Sequence, residues 1–314
     1  MSGRIKGEDI MRIGYPCINR TLDCSSARTF RLASFTEDRF LKTVHDNLQC
    51  LERIIDFNIE KGMLFFRITS DLIPFASHEI CKVNWESIFS GRFQELGEKI
   101  RSGVIRVSMH PDQFVLLNSP RNDVVENSIR ELEYHAKLLD LMELDLTAKI
   151  QIHVGGVYEN KQAALQRFCE SFNNLSQSVK RRLVIENDER LYSLQDCMTL
   201  NSIAGVPILL DSFHHSILNN GESLSEALKI ASSTWDNIDG LPMVDYSSQE
   251  PGGRKGKHTE TINLEDFNRF LGETESFDFD LMLEIKDKEA SAMKAIEAAC
   301  SDRRLIKAHS HDRL

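Results

Sequence analysis

The sequence predicts a (β/α)8 barrel, in which eight parallel strands close into a ring and helices surround them. Three observations predict it. Eight short apolar runs alternate with segments of helical spacing, no Pro-, Gly- or Ser-rich linker interrupts the 314 residues, and potential metal ligands follow most of the runs. We therefore expect a single domain over residues 1–314, with residues 1–10 as a flexible N-terminal extension. An open, doubly wound sheet is the alternative that the same alternation allows.

The eight runs are rich in branched and aromatic residues and too short for helices, which is typical of strands. Right-handed crossovers through the intervening helices would make these strands parallel. In chain order they are Arg12–Tyr15, Met63–Ile68, Val104–Met109, Lys149–His153, Arg182–Glu186, Val206–Asp211, Leu241–Tyr246 and Phe279–Ile285.

Between the strands, apolar residues recur at helical spacing. The first stripe runs from Phe40 to Ile55 and follows Thr36, a residue type that often begins helices. His45 and His135 lie on predicted helices, and we expect both at the surface. The later stripes are Leu132–Met142, Leu165–Val179, Leu224–Ala231, Leu264–Leu271 and Met293–Ile296.

Composition excludes several classes of protein. With 41% apolar and 27% charged residues, the chain is not expected to be disordered. No apolar run approaches the roughly 20 residues of a membrane span, and residues 1–11 are too polar for a signal peptide. The 48 acidic against 38 basic residues give a net charge of −10, which argues against a protein that coats nucleic acid nonspecifically.

The cysteines are odd in number and scattered, and no pair has the Cys-x-x-Cys spacing of a zinc site. This pattern indicates reduced thiols and an intracellular, cytoplasmic protein. The seven residues are Cys17, Cys24, Cys50, Cys81, Cys169, Cys197 and Cys300.

In a barrel, the C-terminal ends of the strands converge on one face. Six of the eight predicted strands end on a potential metal ligand or general base, and His258 follows in the loop after the seventh strand. Carboxylates and imidazoles crowded without partners would repel one another or be costly to bury, whereas divalent cations would neutralise and bridge them. The strand-end residues are Tyr15, Arg67, His110, His153, Glu186, Asp211 with His214, Asp245 and Glu284.

Mixed nitrogen and oxygen ligands without cysteine suit manganese or zinc. Closely spaced divalent ions favour in-line displacement at phosphorus, because they activate water and neutralise phosphate oxygens. Sugar isomerisation, which also uses metals and carboxylates, is the alternative on this fold. The number of histidines among the candidate ligands favours hydrolysis of a phosphodiester over sugar isomerisation.

A series of short motifs at the strand ends carries a family resemblance. They are Gly14–Thr21, Phe66–Asp71, His110–Phe114, His153–Gly156, Glu186–Asp188, Asp211–His214, Ser247–Ser248 with His258, and Glu284–Lys288. Through them the chain resembles the ultraviolet damage endonuclease family, which is related to endonuclease IV and the xylose-isomerase-like barrels.

The resemblance implies an enzyme that nicks damaged double-stranded DNA immediately 5′ to lesions such as ultraviolet photoproducts, leaving a 3′-hydroxyl. We expect a monomer. It implies two or three divalent cations, most often Mn²⁺, with Mg²⁺ or Zn²⁺ as alternatives. Glu186 and Glu284 would be the catalytic carboxylates that bridge the ions and position the water. The implied ligands are His110, His153, Glu186, Asp211, His214, His258 and Glu284.

Two positions depart from the family pattern. Met243 and Asp245 stand where the family usually has a lysine, which can be carboxylated, and a histidine. Methionine cannot form that bridging carbamate. Asp245 still offers oxygen to a metal, which predicts a preference for Mn²⁺ or Mg²⁺ over a softer cation.

The resemblance also implies DNA contacts. Gln113 and Phe114 match a pair that the family inserts into the duplex opposite the lesion, although relatives often have tyrosine in place of Phe114. Unstacking costs less at a damaged step, and an aromatic ring replaces lost stacking. Tyr15 and Asn19 match residues that contact DNA near the damage.

Arg254, Lys255 and Lys257 lie in a Gly-rich loop just before His258. Three cations on a flexible backbone predict a segment that follows DNA phosphates. A metal-dependent sugar isomerase, an abasic-site endonuclease and a non-catalytic damage-binding barrel remain as alternatives.

Overall fold

The structure is a computed structural model that describes residues 11–306. Eight parallel strands form one closed barrel in the order β1 to β8, each paired with its neighbours in sequence, and β1 pairs with β8. The predicted single-domain barrel is confirmed, and the open sheet is excluded. The strands are β1 Ile13–Pro16, β2 Phe65–Ile68, β3 Arg106–Met109, β4 Lys149–His153, β5 Leu183–Glu186, β6 Ile208–Asp211, β7 Met243–Tyr246 and β8 Asp280–Leu283.

Helices connect every pair of consecutive strands. The first helix begins where Thr36 accepts a hydrogen bond from the Arg39 amide, and it ends at Gly62, whose φ of 72° suits glycine. The helices are α1 Glu37–Lys61, α2 Trp85–Ile88, α3 Ser90–Ser102, α4 Asn122–Leu141, α5 Lys161–Asn173, α6 Gln177–Arg182, α7 Leu194–Ala204, α8 Ser212–Ile217, α9 Leu224–Ser232, α10 Leu264–Glu273 and α11 Glu289–Ala298.

The main core lies between the strands and the surrounding helices, and a second, smaller apolar cluster is separate from it. Each residue of the smaller cluster lies two positions before a polar residue at a strand end. Because side chains alternate along a strand, both members of each pair face the barrel interior. An apolar layer therefore lies beneath a polar layer. The pairs are Phe65 with Arg67, Val184 with Glu186, Leu209 with Asp211, Met243 with Asp245 and Met282 with Glu284.

A second charged layer closes the opposite end of the barrel. At the start of β3, Arg106 donates to Asp280 at 2.9 Å, and at the start of β4, Lys149 is ion-paired with Asp239. The Trp235 ring lies 5.6 Å from the Arg106 guanidinium carbon and 6.0 Å from the Lys149 nitrogen. Every buried charge in this layer has a partner, as a low-dielectric interior requires.

Two expectations about single residue types are wrong. Cys24 and Cys50 form a disulfide, with Cα atoms 5.8 Å apart, because the loop after β1 folds back onto α1. The spacing of the two cysteines in the sequence did not indicate this contact. The prediction of an intracellular location rested on reduced cysteines and therefore loses that support. No helix in the described part of the chain is long and apolar enough to cross a membrane.

His135 is buried, with 0% of its surface exposed, and is not the surface residue that its helix predicted. Its Nδ1 bonds the Glu131 carbonyl at 2.7 Å, and its Nε2 lies 3.1 Å from the Ser70 hydroxyl. Burial lowers the pKa of His135 to about 4. The ring is therefore neutral in the folded protein at neutral pH.

We expect His135 to make stability depend on pH. Between pH 6.5 and 4 the unfolded chain binds more protons at this site than the folded one, so stability falls as pH falls. The His135→Gln variant should lose about 2 kcal/mol of the wild-type change in unfolding free energy between pH 7.5 and 5. Urea titrations at the two pH values measure it, with the exposed His45→Gln as control. An unchanged pH dependence in His135→Gln would contradict the prediction.

Candidate active site

The structure gathers the predicted ligand residues at the C-terminal ends of strands β3 to β8. Glu186 is at the centre of the group and is 1% exposed. Its carboxylate oxygens lie 3.5 Å from His110 Nε2, 3.9 Å from His153 Nδ1 and 3.3 Å from His214 Nδ1. Three imidazoles from three different segments therefore face one carboxylate.

Three sets of side chains offer ligand atoms within 4.8 Å of one another. Glu186 belongs to two sets and Asp211 to two, so the sets form a continuous cluster. His258 lies at its edge, with its ring 5.7 Å from that of His214 and its Nδ1 2.9 Å from the Glu284 carbonyl oxygen. The sets are His110, His153 and Glu186; Glu186, Asp211 and His214; and Asp211, Asp245 and Glu284.

Arg67, on β2, is the main buried counter-charge of the cluster. Its Nη2 donates to Asp245 Oδ2 at 2.7 Å and to Gln151 Oε1 at 2.8 Å, and its Nη1 is ion-paired with Glu284. Burial raises the pKa of Glu284, but Arg67 together with His258 and His110 outweighs burial and holds this pKa down at about 2. Asp245 was predicted as a metal ligand, and the structure shows it bound to Arg67 and Gln151.

The remaining charges are incompletely balanced. Burial, with the negative charges of Glu186 and Glu284, raises the pKa of Asp211 to about 7 against the opposing charge of His214. Burial lowers the pKa of His214, but Asp211 and Glu186 outweigh it and raise the value to about 11. For Glu186, burial is outweighed by His153, His110 and His214, which hold its pKa well below the usual range.

This donor set fits divalent cations. His153 Nδ1 and Asp211 Oδ2 are buried and have no hydrogen-bond partner among the described residues, so each has a free lone pair directed into the cluster. Buried carboxylates beside neutral imidazoles are ligands for manganese, magnesium or zinc. The cluster borders a cavity of about 750 Å³ whose wall also includes Gln113, Arg254 and Lys257.

Comparisons with known proteins agree with this geometry. Residues 11–311 match the family model of UV-endonuclease UvdE. The chain belongs to this family. A UV DNA damage endonuclease from Clostridium perfringens (strain 13 / Type A) is 39% identical over 290 residues, which cover 92% of this chain and 70% of that protein. One from Bacillus cereus (strain G9842) is 30% identical and covers 92% of this chain and 94% of that protein.

Solved structures give the same result. The crystal structure of SacUVDE has a TM-score of 0.90 and 46% identity, and it covers 94% of this chain and 100% of that one. A D-psicose 3-epimerase from Clostridium cellulolyticum H10 has a TM-score of 0.52 at 16% identity, with 81% of this chain and 92% of that chain covered. The epimerase shares the fold alone.

The predicted DNA-binding residues of this UvdE-family chain divide into two groups. Phe114 is 58% exposed and Gln113 is exposed beside it, just past His110. Arg254 and Lys255 are exposed on the loop after β7, where the Glu250 amide bonds the Lys257 carbonyl at 2.8 Å. Gln113, Arg254 and Lys257 line the cavity of the ligand cluster, and Phe114 follows Gln113 directly.

Tyr15 and Asn19 are buried, which does not fit direct DNA contact. Alternation along β1 directs Tyr15 away from the barrel interior and towards α1, where its hydroxyl donates to Asn58 at 2.8 Å. Asn19 in turn donates to the Tyr15 hydroxyl and accepts from the Thr21 and Leu22 amides. Both residues hold the first loop in place.

Gln151 and Glu189 contact the cluster but were not among the predicted site residues, and Arg67 was predicted at a strand end without a role in the site. Gln151 donates to Glu186 and Asp245, and Glu189 lies 3.8 Å from His214. A signal was available for Arg67 and Gln151, because each lies on a strand and faces inward. Met243 lies in the apolar layer below Asp245, so it offers the cations no ligand.

Binding of divalent cations to the ligand cluster should release protons. At pH 7 the raised pKa values of Asp211 and His214 leave protons that divalent cations must displace. Apparent Mn²⁺ affinity should therefore rise between pH 6 and 8, with at least one proton released per binding event. Calorimetry at pH 7 in buffers of different ionisation enthalpy measures the release. Heats that do not vary with the buffer would contradict it, and His214→Gln should release fewer protons.

Proposed function

We propose that this chain is a DNA-repair endonuclease that hydrolyses the phosphodiester bond immediately 5′ to ultraviolet photoproducts and other helix-distorting lesions. The single observation that carries the proposal is the buried carboxylate–imidazole cluster centred on Glu186, which opens into a cavity beside an exposed aromatic side chain. The names of the relatives, UV DNA damage endonucleases, support the substrate class.

Divalent cations, when bound to the cluster, activate water and neutralise phosphate oxygens. The residues of the chain orient that chemistry. Glu186 lies beside three imidazoles and with them would hold cations, and Glu284 is held by Arg67 on the other side. The 17% to 29% exposure of the His110 and His153 side chains leaves these ligands accessible from the cavity. Neighbouring apolar side chains exclude water from below.

Damage recognition is assigned to Gln113 and Phe114. The apolar ring of Phe114 is exposed to water and suits stacking on DNA bases, which contributes about 1–3 kcal/mol per base. A damaged step unstacks at lower cost than an intact one, so insertion of the pair discriminates between them.

The basic loop, defined as Arg254, Lys255 and Lys257, is proposed to follow the DNA backbone. None of the three side chains is ion-paired with a described residue, and Arg254 and Lys257 line the cavity of the cluster. Their charges are therefore free to meet phosphates at the site despite the net charge of −10.

Replacing all three residues of the basic loop by glutamine should weaken binding and flatten its salt dependence. Three lost phosphate contacts reduce the slope of log K against log salt by about 2 to 3. Fluorescence anisotropy with a damaged duplex at several salt concentrations measures the slope. The control is Lys180→Gln with Arg181→Gln, on α6 at the opposite end of the barrel, and an unchanged slope in the triple variant would refute the role.

Two or three divalent cations, most suitably Mn²⁺, are proposed as cofactors. The set of Asp211, Asp245 and Glu284 offers only carboxylate oxygens, which favours a hard cation. In a metal-depleted preparation, Mn²⁺ should restore more nicking than Zn²⁺, and Mg²⁺ should be intermediate or equal. Equal activation by Zn²⁺ and Mn²⁺ would count against this choice.

Glu186→Gln should lose nicking by about 1,000-fold or more while it binds the damaged duplex with nearly wild-type affinity. The amide keeps the size of the side chain but loses the charge that three histidines face. Gel analysis of a duplex with one photoproduct measures nicking, and Glu170→Gln, exposed on α5, is the control. Retained cleavage by Glu186→Gln would refute the assignment.

The same assay separates the other functions. Product mapped immediately 5′ to a photoproduct supports the proposal, preferred cleavage at an abasic site supports an abasic-site endonuclease, and binding without cleavage supports a non-catalytic barrel. Sugar turnover would support an isomerase. The proposed substrate places the enzyme on cytoplasmic DNA, and we propose that it acts as a monomer.

A further inference from the structure

Lys288 lines the cavity of the ligand cluster but belongs to neither the ligand cluster nor the basic loop. It follows β8 by a few residues and precedes α11, on the same side of the cavity as Glu284. Its ammonium group makes no hydrogen bond and no ion pair with any residue in the range 11–306. The inference below rests on the proposed endonuclease function.

Two neighbouring cations of this wall, Arg67 and Lys286, already have partners. Arg67 is bound to Asp245, Gln151 and Glu284, and Lys286 donates to Glu260 at 2.6 Å. Lys288 is half-buried and faces the opposing charges of Glu284 and Arg67. Burial lowers the pKa of Lys288, and Arg67 contributes in the same direction. A half-buried ammonium without a partner is costly, so the site suits an anion that comes from outside the chain.

The backbone at Lys288 is strained, with φ 56° and ψ −118°. This conformation favours glycine, and a side chain there is maintained only where the surroundings impose it. They do so here. The Asp287 amide bonds the Glu260 carbonyl at 3.0 Å, and the Glu289 carboxylate accepts from the Arg20 amide and the Thr21 hydroxyl at 2.8 Å. The fold thus fixes both neighbours and keeps a lysine where glycine would be easier.

We propose that Lys288 is a catalytic residue that binds the scissile phosphodiester and stabilises the negative charge of its transition state. In the hydrolysis, the water oxygen bonds to phosphorus as the bond from phosphorus to the 3′ oxygen breaks. The 3′ oxygen leaves with the electron pair and takes one proton, and the second proton of the water passes to solvent. Lys288 stays protonated throughout and donates hydrogen bonds to the phosphoryl group.

The test compares Lys288→Met with wild type under single-turnover conditions, on a duplex with one photoproduct and saturating Mn²⁺. Removing one positioned donor to transition-state charge should lower the rate by about 100-fold, while the Kd for the damaged duplex stays within about twofold. Bound manganese, measured by mass spectrometry, should be unchanged. Lys288→Arg should recover part of the rate, and Lys294→Met, exposed on α11, should behave as wild type.

A rate for Lys288→Met within about threefold of wild type would overturn the proposal. So would a rise in Kd that accounts for the lost rate, or a loss of bound manganese. If wild type itself fails to nick the damaged duplex, the proposed function fails. If wild type nicks and Lys288→Met nicks equally well, only the assignment of Lys288 fails.

Lys288→Gly separates catalysis from folding. Because glycine suits φ 56° and ψ −118°, this variant should have a Tm no lower than wild type and the same loss of rate as Lys288→Met. A lysine retained for structural reasons predicts the opposite. A fall in Tm with glycine, together with an active methionine variant, would overturn the catalytic role.

Discussion

Repulsion among four carboxylates, three buried and one half-buried, is the constraint on which the rest of the site depends. Glu186, Asp211, Asp245 and Glu284 end neighbouring strands of a closed barrel, so the parallel register itself brings them together. Arg67 balances two of them through its guanidinium, and the histidines face the other two. The charge that remains is what divalent cations would neutralise, so the site and its cofactors form one electrostatic unit.

The barrel interior supports this unit by layers. An apolar layer separates the carboxylates from a charged layer at the opposite end, where Arg106 and Lys149 pair with Asp280 and Asp239. The apolar layer thus separates the two polar layers, and it keeps water from reaching the carboxylates from inside the barrel. Met243 belongs to the apolar layer and has a packing role.

The surface around the mouth has a different charge from the chain as a whole. The net charge of −10 includes the four carboxylates of the cluster, whose neutralisation by cations removes much of the local excess. The basic loop and the exposed Phe114 add positive charge and stacking surface at the same mouth. An acidic protein can therefore grip a short, distorted stretch of DNA through a small part of its surface.

The sequence by itself determined the barrel and most of the ligand cluster, because strand periodicity and residues at strand ends are local properties that a closed parallel sheet carries into one mouth. It also predicted DNA-binding roles for Phe114 and the basic loop, and these stay predictions. Only the tertiary structure decided the partners: the burial of Tyr15, Asn19 and His135, the pairing of Cys24 with Cys50, and the capture of Asp245 by Arg67. Each depends on which face of an element meets another, and contacts between residues distant in sequence have no signature along a single chain.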